Sequence, residues 1–114
     1  MGDVVTLKEN KEFIRIYSKG KSLVSPYLVT YVAKNKKNVV RIGITTSKKI
    51  GNAVVRNRSR RVILAAFREV LPNIENGYDF VFVARHKTSS VKSYVILRHM
   101  KNHLKKHGVL NEEK

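Results

Sequence analysis

The residues whose types and spacing could do chemistry lie mostly in one run, Ser47-Lys-Lys-Ile-Gly-Asn-Ala-Val-Val-Arg-Asn-Arg-Ser-Arg-Arg61. It holds six basic residues and no acid. Lysine and arginine neutralise phosphates and release their counterions. Arginine adds a planar fork that suits bidentate phosphate contacts. A merely solvated helical face would interleave glutamates one turn apart, yet the first acid after the run is Glu69. The chemistry indicated is binding of a phosphate backbone.

The rest of the chain supports this. Its 114 residues carry 24 Lys+Arg against 8 Asp+Glu, a formal charge of +16. Between Phe13 and Arg68 there are fourteen basic residues and no acid, the acids being Asp3, Glu9, Glu12, Glu69, Glu75, Asp79, Glu112 and Glu113. So uneven a distribution points to an anionic partner, nucleic acid first and an anionic membrane surface second. No apolar run reaches the roughly 20 residues that span a bilayer. There is no cysteine, so disulfides and thiolate metal sites are excluded, in keeping with a reducing cytoplasm. The length suits one domain, 1–114, with a core that needs no staple.

The elements that must position these residues follow from periodicity. Phe13, Ile14, Ile16 and Tyr17 predict a helix over 10–19, stopped at Gly20. Residues 27–33 read as a strand, 34–38 as a loop of hairpin length, and 39–46 as the return strand, with a weaker strand at 22–24. Asn52 can cap a helix that runs over 53–71 and ends before Pro72. Its apolar arc is Val55, Val62, Ile63, Ala66, Phe67 and Val70. Beside it Arg56, Arg60, Leu64 and Arg68 form a stripe, with Asn57 and Arg61 further round. Asn76-Gly77 is a turn signal. The apolar run over 80–84 predicts a strand buried on both faces, and 93–106 a last helix with Tyr94, Leu97, Met100 and Leu104 on one side. The fold class is α+β, a single domain in the order α-β-β-β-α-β-α, with helices on one face of a small mixed sheet.

Other features carry rival readings. Tyr27 and Tyr31, four apart, should share a strand face; with Phe13 and Tyr17 they could stack unpaired bases or simply pack the core. His99, His103 and His107 repeat at one-turn spacing but lack carboxylate or thiolate companions, so a basic helical face is favoured over a metal site. Met1-Gly2 with Thr6 matches a lipidation signal, and Asn57-Arg58-Ser59 a glycosylation acceptor; both are read as chance matches. No carboxylate pair lies near the basic run to support metal-assisted hydrolysis.

The run Ser47–Arg61, with Arg56-Asn57-Arg58 at its centre, resembles the signature of the protein subunit of bacterial ribonuclease P. The resemblance extends to Lys11-Glu-Phe13 with Tyr17, Gly20-Lys21-Ser22, Arg41-Ile-Gly43-Ile and Ala84-Arg85. It implies a ribosomal protein S5 domain 2-like fold with a left-handed β-α-β crossover, where general rules give a right-handed one. It implies a partner, the ribonuclease P RNA, which carries the catalytic centre and binds most of the Mg²⁺, leaving no catalytic side chain to the protein. It implies a second RNA ligand, the 5′ leader of precursor tRNA, and no obligate protein partner. By this resemblance Phe13, Tyr17 and Tyr31 line a leader groove, bordered by Arg56, Asn57 and Arg60. Lys48, Lys49, Arg58 and Arg61 contact RNA backbone or position the helix, and Asn52 and Arg68 complete the RNA-binding set. Leu64 departs from the pattern by interrupting the cationic stripe, which puts contact as far as Arg68 in doubt.

Three rivals are weaker. A structural RNA-binding protein would share the charge and build but not the ordered signature. A DNA reader would present Gln or Asn beside Arg, and only Asn57 qualifies. A stand-alone nuclease would need acids.

Overall fold

The computed structural model describes residues 4–111. The Met1-Gly2 part of the lipidation match and the acids Asp3, Glu112 and Glu113 lie outside them. The chain runs β1 (Val4–Thr6), α1 (Asn10–Lys19), β2 (Lys21–Val24), β3 (Leu28–Lys34), β4 (Val40–Thr45), α2 (Ala53–Val70), β5 (Tyr78–Ala84) and α3 (Ser93–His107). The expected order α-β-β-β-α-β-α is present, preceded by β1. That strand of three residues is too short to register as a period in the sequence.

The five strands form one sheet in the order β1-β4-β5-β3-β2. β4 is parallel to β1 and β5, whereas β3 is antiparallel to β5 and β2. β3 and β4 are therefore not the hairpin that their short connection suggests, because β5 lies between them. The reason is burial: Asp79 through Phe82 are all buried, and an apolar run of this kind belongs at the centre of a sheet covered on both faces. The connection passes over the start of β5, where the Asn35 amide donates to the Gly77 carbonyl and the Gly77 amide to the Val39 carbonyl. The actual hairpin is β2–β3, turned at Ser25-Pro26-Tyr27. β4, α2 and β5 make up the β-α-β unit.

α2 and α3 share one face of the sheet, as expected. Ile63, Phe67 and Val70 of α2 and Ile96, Met100 and Leu104 of α3 close over Leu28, Ile42, Phe80 and Phe82. Phe67 sits with its ring centroid 5.6 Å from Phe82 and 6.1 Å from Phe80. The apolar arc of α2 is as expected, with Ser59 also buried and turned back to the Val55 carbonyl. Asn52 caps α2, its side-chain oxygen accepting from the Val55 amide at 3.1 Å. α3 keeps most of its expected face. Met100 and Leu104 are buried and Leu97 packs against the core, joined by Ile96 and His103, while Tyr94 in the first turn is exposed.

α1 departs from the expectation of helices on one face: it lies on the opposite face of the sheet, because the central strand is apolar on both faces and each needs a cover. There Ile16 packs with Leu7 and Val81, flanked by Phe13, Tyr31, Ala33 and Val83. Its end is set by steric closeness. Gly20 has extended backbone, and a Cβ there would come within 2.5 Å of the Ile16 carbonyl oxygen.

Two buried polar groups shape stability. Asp79 is fully buried. Arg41 reaches it with Nε and Nη2, each at 2.7 Å, and Asn35 with Nδ2 at 3.0 Å. Arg15 of α1 completes the set, while Glu12 of α1 takes the remaining Nη1 of Arg41 at 2.8 Å. Burial alone would push the Asp79 carboxyl up; the hydrogen bonds from Arg41 and Asn35 and the charge of Arg41 outweigh it and hold the group below its usual range. On the other face His103 is buried, with Nδ1 2.8 Å from the Thr30 hydroxyl. Burial, then the neighbouring charges of His107, His99 and Lys106, push its pKa down from 6.5 to about 4.

Asp79→Asn should leave Arg15 without its counter-charge and Arg41 with Glu12 alone, and lower unfolding free energy by about 3–5 kcal/mol; a urea titration measures it. His103 is neutral when folded and takes up a proton more readily when unfolded. Its contribution is whole above pH 6.5 and is lost as pH falls toward about 4. The midpoint of thermal unfolding should therefore drop across that window, and His103→Gln should flatten the drop.

Candidate nucleic-acid interface

The face of the sheet beneath α1 is ordered in three rows across the strands, set by register. The first row is Ala33, Asp79 and Arg41. The second is Ser22, Tyr31, Val81 and Gly43. The third is Val24, Val29, Val83 and Thr45. Glu12 and Arg15 fasten α1 over the first row, and Phe13 and Ile16 cover the second. The third row is left half-buried or exposed, with Val24 62% exposed. The outcome is an open groove with a floor of valine and threonine, walled on one side by α1.

Gly43 decides where that wall stands. A Cβ at this position would come within 2.5 Å of the Phe13 ring, so the missing side chain is the space Phe13 occupies. Phe13 then sets the helix so that Tyr17, one turn on, overhangs the third row. The Tyr17 hydroxyl is 2.7 Å from the Thr45 hydroxyl, and its ring meets Tyr31 edge-on at 4.9 Å. Tyr17 remains 37% exposed. Phe13, Tyr17 and Tyr31 are thus brought together, at a centroid distance of 6.4 Å for the first two. Tyr27 is not part of the group. It precedes the first residue of β3, so strand alternation does not reach it, and it packs on the other face 5.0 Å from His99.

The other wall comes from α2. β1 ends at Thr6, and the last bond along this edge runs from the Leu7 amide to the Ile42 carbonyl. Beyond it the edge of β4 is open, and Arg60 takes it. Arg60 donates to the Ile44 carbonyl at 3.2 Å and to the Thr46 hydroxyl at 3.0 Å. A guanidinium has five donors, so this exposed group keeps N–H bonds to offer beside Thr45 and Tyr17.

The basic run is split by its helix between two directions. Arg56 and Arg60 share a stripe one turn apart. Arg58 turns the other way and donates to the Ser89 carbonyl at 2.7 Å. With Arg61, Lys92 and Ser93 it borders a separate concavity of about 430 Å³. Asn57 and Arg68 are exposed, Arg68 two turns beyond Arg60, and Leu64 between them is half-buried. Lys48 and Lys49 are exposed on a short 3-10 turn ahead of α2. Gly51 bends the chain there with φ 147°, and a Cβ would come within 2.8 Å of Val55. The side-chain oxygen of Asn52 is already used in the helix cap.

The three histidines of α3 do not converge. His103 faces Thr30 and His99 faces Tyr27, and among the described residues no group of three His, Asp or Glu is placed to hold a metal ion. No helix is long and apolar enough to cross a membrane.

Several residues of this site escape a reading by type alone. Val29, Val83 and Thr45 form the floor, and Gly43 admits the wall. Alternation from Tyr31 would have found Val29; the others needed the strand register.

A small α+β domain with an aromatic groove on one sheet face and a cationic helix at its edge is the class defined here. Comparison with known proteins narrows it. The family model for ribonuclease P matches residues 1–108. The ribonuclease P protein component of Clostridium kluyveri is 48% identical over 110 residues, covering 94% of this chain and 97% of that one. Its counterpart in Clostridium beijerinckii is 41% identical over 117 residues, covering 96% and 94%. The solved RNase P protein of Staphylococcus aureus superposes with a TM-score of 0.82 at 34% identity, covering 96% of this chain and all of that one. That of Thermotoga maritima gives 0.75 at 31%, covering 85% and 92%. The chain belongs to the family of ribonuclease P protein components, bacterial ribonucleoprotein subunits of tRNA processing.

Gly43→Ala should force Phe13 off its seat and destabilise the fold by about 1–3 kcal/mol. Phe13→Leu in the same chain should recover part of that loss, a non-additivity that a double-mutant cycle by urea unfolding detects.

Proposed function

We propose that this chain binds the RNA subunit of ribonuclease P and holds the 5′ leader of precursor tRNA in the groove beside α1, assisting Mg²⁺-dependent removal of the leader. The observation that carries this reading is the third row of the sheet, open and apolar, with Tyr17 and Tyr31 on one side and Arg60 on the other. A single strand needs both a stacking surface and a cationic track for its backbone. Each stacked base contributes about 1–3 kcal/mol. An aromatic ring accepts any base face, so a groove of this kind suits leaders of varied sequence. Arg60, with Arg56 behind it, faces the backbone of that strand.

The exposed lysines Lys48 and Lys49 and the guanidinium groups of Arg58 and Arg61 lie off the groove. They suit the phosphates of the RNA subunit, with Arg58 held in position by Ser89. Mg²⁺ belongs with that RNA. The one buried carboxylate among the described residues, Asp79, is surrounded by arginine and asparagine donors and offers no lone pair to a cation. In this reading the catalytic centre lies in the RNA, with the protein binding and orienting.

Reconstitution tests this. The purified chain alone should not cleave precursor tRNA, and adding it to a ribonuclease P RNA should restore cleavage at low Mg²⁺. Cleavage without the RNA, or no effect when it is supplied, refutes the proposal. In the same assay Arg60→Ala should weaken leader binding and reduce the salt slope by about one unit; an unchanged slope removes Arg60 from the phosphate track.

A further inference from the structure

The third row of the sheet has one polar side chain. Register aligns Val24, Val29, Val83 and Thr45 across it, so three valines meet a threonine at the β4 end. Thr45 is half-buried, and its hydroxyl lies 2.7 Å from that of Tyr17. A hydroxyl carries one donor and two acceptor lone pairs. Whichever of the two donates in this bond, one proton and lone pairs on both oxygens remain for a ligand. The wall of the groove is already fastened by Glu12, Arg15 and Phe13, so α1 is held without this pair.

The surroundings set what passes over the pair. On one side stand the rings of Tyr17 and Tyr31, their centroids 4.9 Å apart. On the other stands Arg60, which donates to the Ile44 carbonyl and the Thr46 hydroxyl, the residues before and after Thr45 in the chain. Consecutive Cα atoms are about 3.8 Å apart, so the guanidinium is anchored within one residue of the hydroxyl pair. A nucleotide has the same order: base, sugar, phosphate. With its base against the rings and its phosphate at Arg60, the sugar falls over Tyr17 and Thr45. The ribose 2′-hydroxyl both donates and accepts, and it is the group by which a protein tells RNA from DNA. It complements a pair that also offers both. All four ribonucleotides carry it, so the contact is blind to sequence, as a groove for varied leaders requires. The valines of the row cannot hydrogen-bond, which confines the discrimination to this end.

We propose that the Tyr17–Thr45 hydroxyl pair reads the ribose 2′-hydroxyl of the strand in the groove and so makes the groove selective for RNA over single-stranded DNA. This rests on the reading of the groove as a single-strand site. Water competes at a half-exposed position, so the selectivity is that of an ordinary hydrogen bond, about three- to tenfold. Fluorescence anisotropy on the full chain tests it with two unstructured strands of about eight nucleotides. They are identical in their bases, uracil included, one built on ribose and the other on 2′-deoxyribose. The parent should bind the ribose strand about three- to tenfold more tightly. Tyr17→Phe combined with Thr45→Val removes both hydroxyls and keeps ring and shape, and the ratio should fall to about one; circular dichroism melts confirm the fold. Tyr17→Phe alone, at an exposed ring, should lower the ratio by at least about twofold. Thr45→Ser keeps a hydroxyl and should keep the parent's ratio. A parent that binds both strands equally, or a double variant that keeps the parent's ratio, overturns the proposal. So does a ratio that changes between uridine, cytidine and adenosine strands, since that assigns the pair to base edges. Arg60→Ala separates this inference from the groove itself. If it weakens both strands while the parent's ratio is about one, the groove holds a single strand and only the 2′-hydroxyl contact is refuted. If neither Arg60→Ala nor the double variant alters either affinity, the groove reading falls as well.

Discussion

The ion cluster around Asp79 is the interaction on which the rest of this structure depends. One carboxylate at the base of the central strand is shared by Arg41 of β4, Arg15 of α1 and Asn35 of the β3–β4 loop. Desolvating these groups is unfavourable, and only full hydrogen bonding offsets it. The cluster therefore admits one arrangement: α1 with Arg15 and Glu12 over the first row, the loop folded onto β5, and β4 in parallel register. Apolar packing between α1 and the sheet, Ile16 on Leu7 and Val81 and Phe13 against Gly43, fits the same arrangement.

The placement has a consequence for the rest of the sheet. With Glu12 and Arg15 fastened over the first row and Phe13 seated against Gly43, α1 covers the first two rows and reaches the third only with Tyr17. The groove is thus the uncovered part of a sheet whose helix is anchored along one side. Closure from the other side comes from Arg60, which reaches the part of the β4 edge that β1 is too short to pair. Stability and the open groove come from the same contacts.

The cationic charge divides by geometry. Arg60, beside aromatic rings, has the surroundings of a single-strand contact. Arg58 and Arg61 point away from the groove, and the lysines of the β3–β4 loop lie at the opposite end of the same sheet face. A surplus of +16 is thus spread in several directions over a domain with principal extents of 36 × 35 × 22 Å.

Much of this was legible in the sequence by itself. The helix of Ala53–Val70, its capping Asn52, its buried arc and its cationic stripe follow from residues close in the chain, because period and capping are local. The basic character of the partner surface and the family resemblance also needed only residue order. What the sequence did not reveal depends on contacts between distant residues. Strand pairing put β5 between β3 and β4 and separated Tyr27 from Tyr31. A buried carboxylate tied Arg15, Asn35 and Arg41 to one point, 64, 44 and 38 positions away in the chain. Those choices minimise desolvated charge and exposed apolar area over the whole domain. No local pattern encodes them; the resemblance named Arg60 as a border of the groove, but the contacts that hold it there, to Ile44 and Thr46, appear only in the tertiary structure.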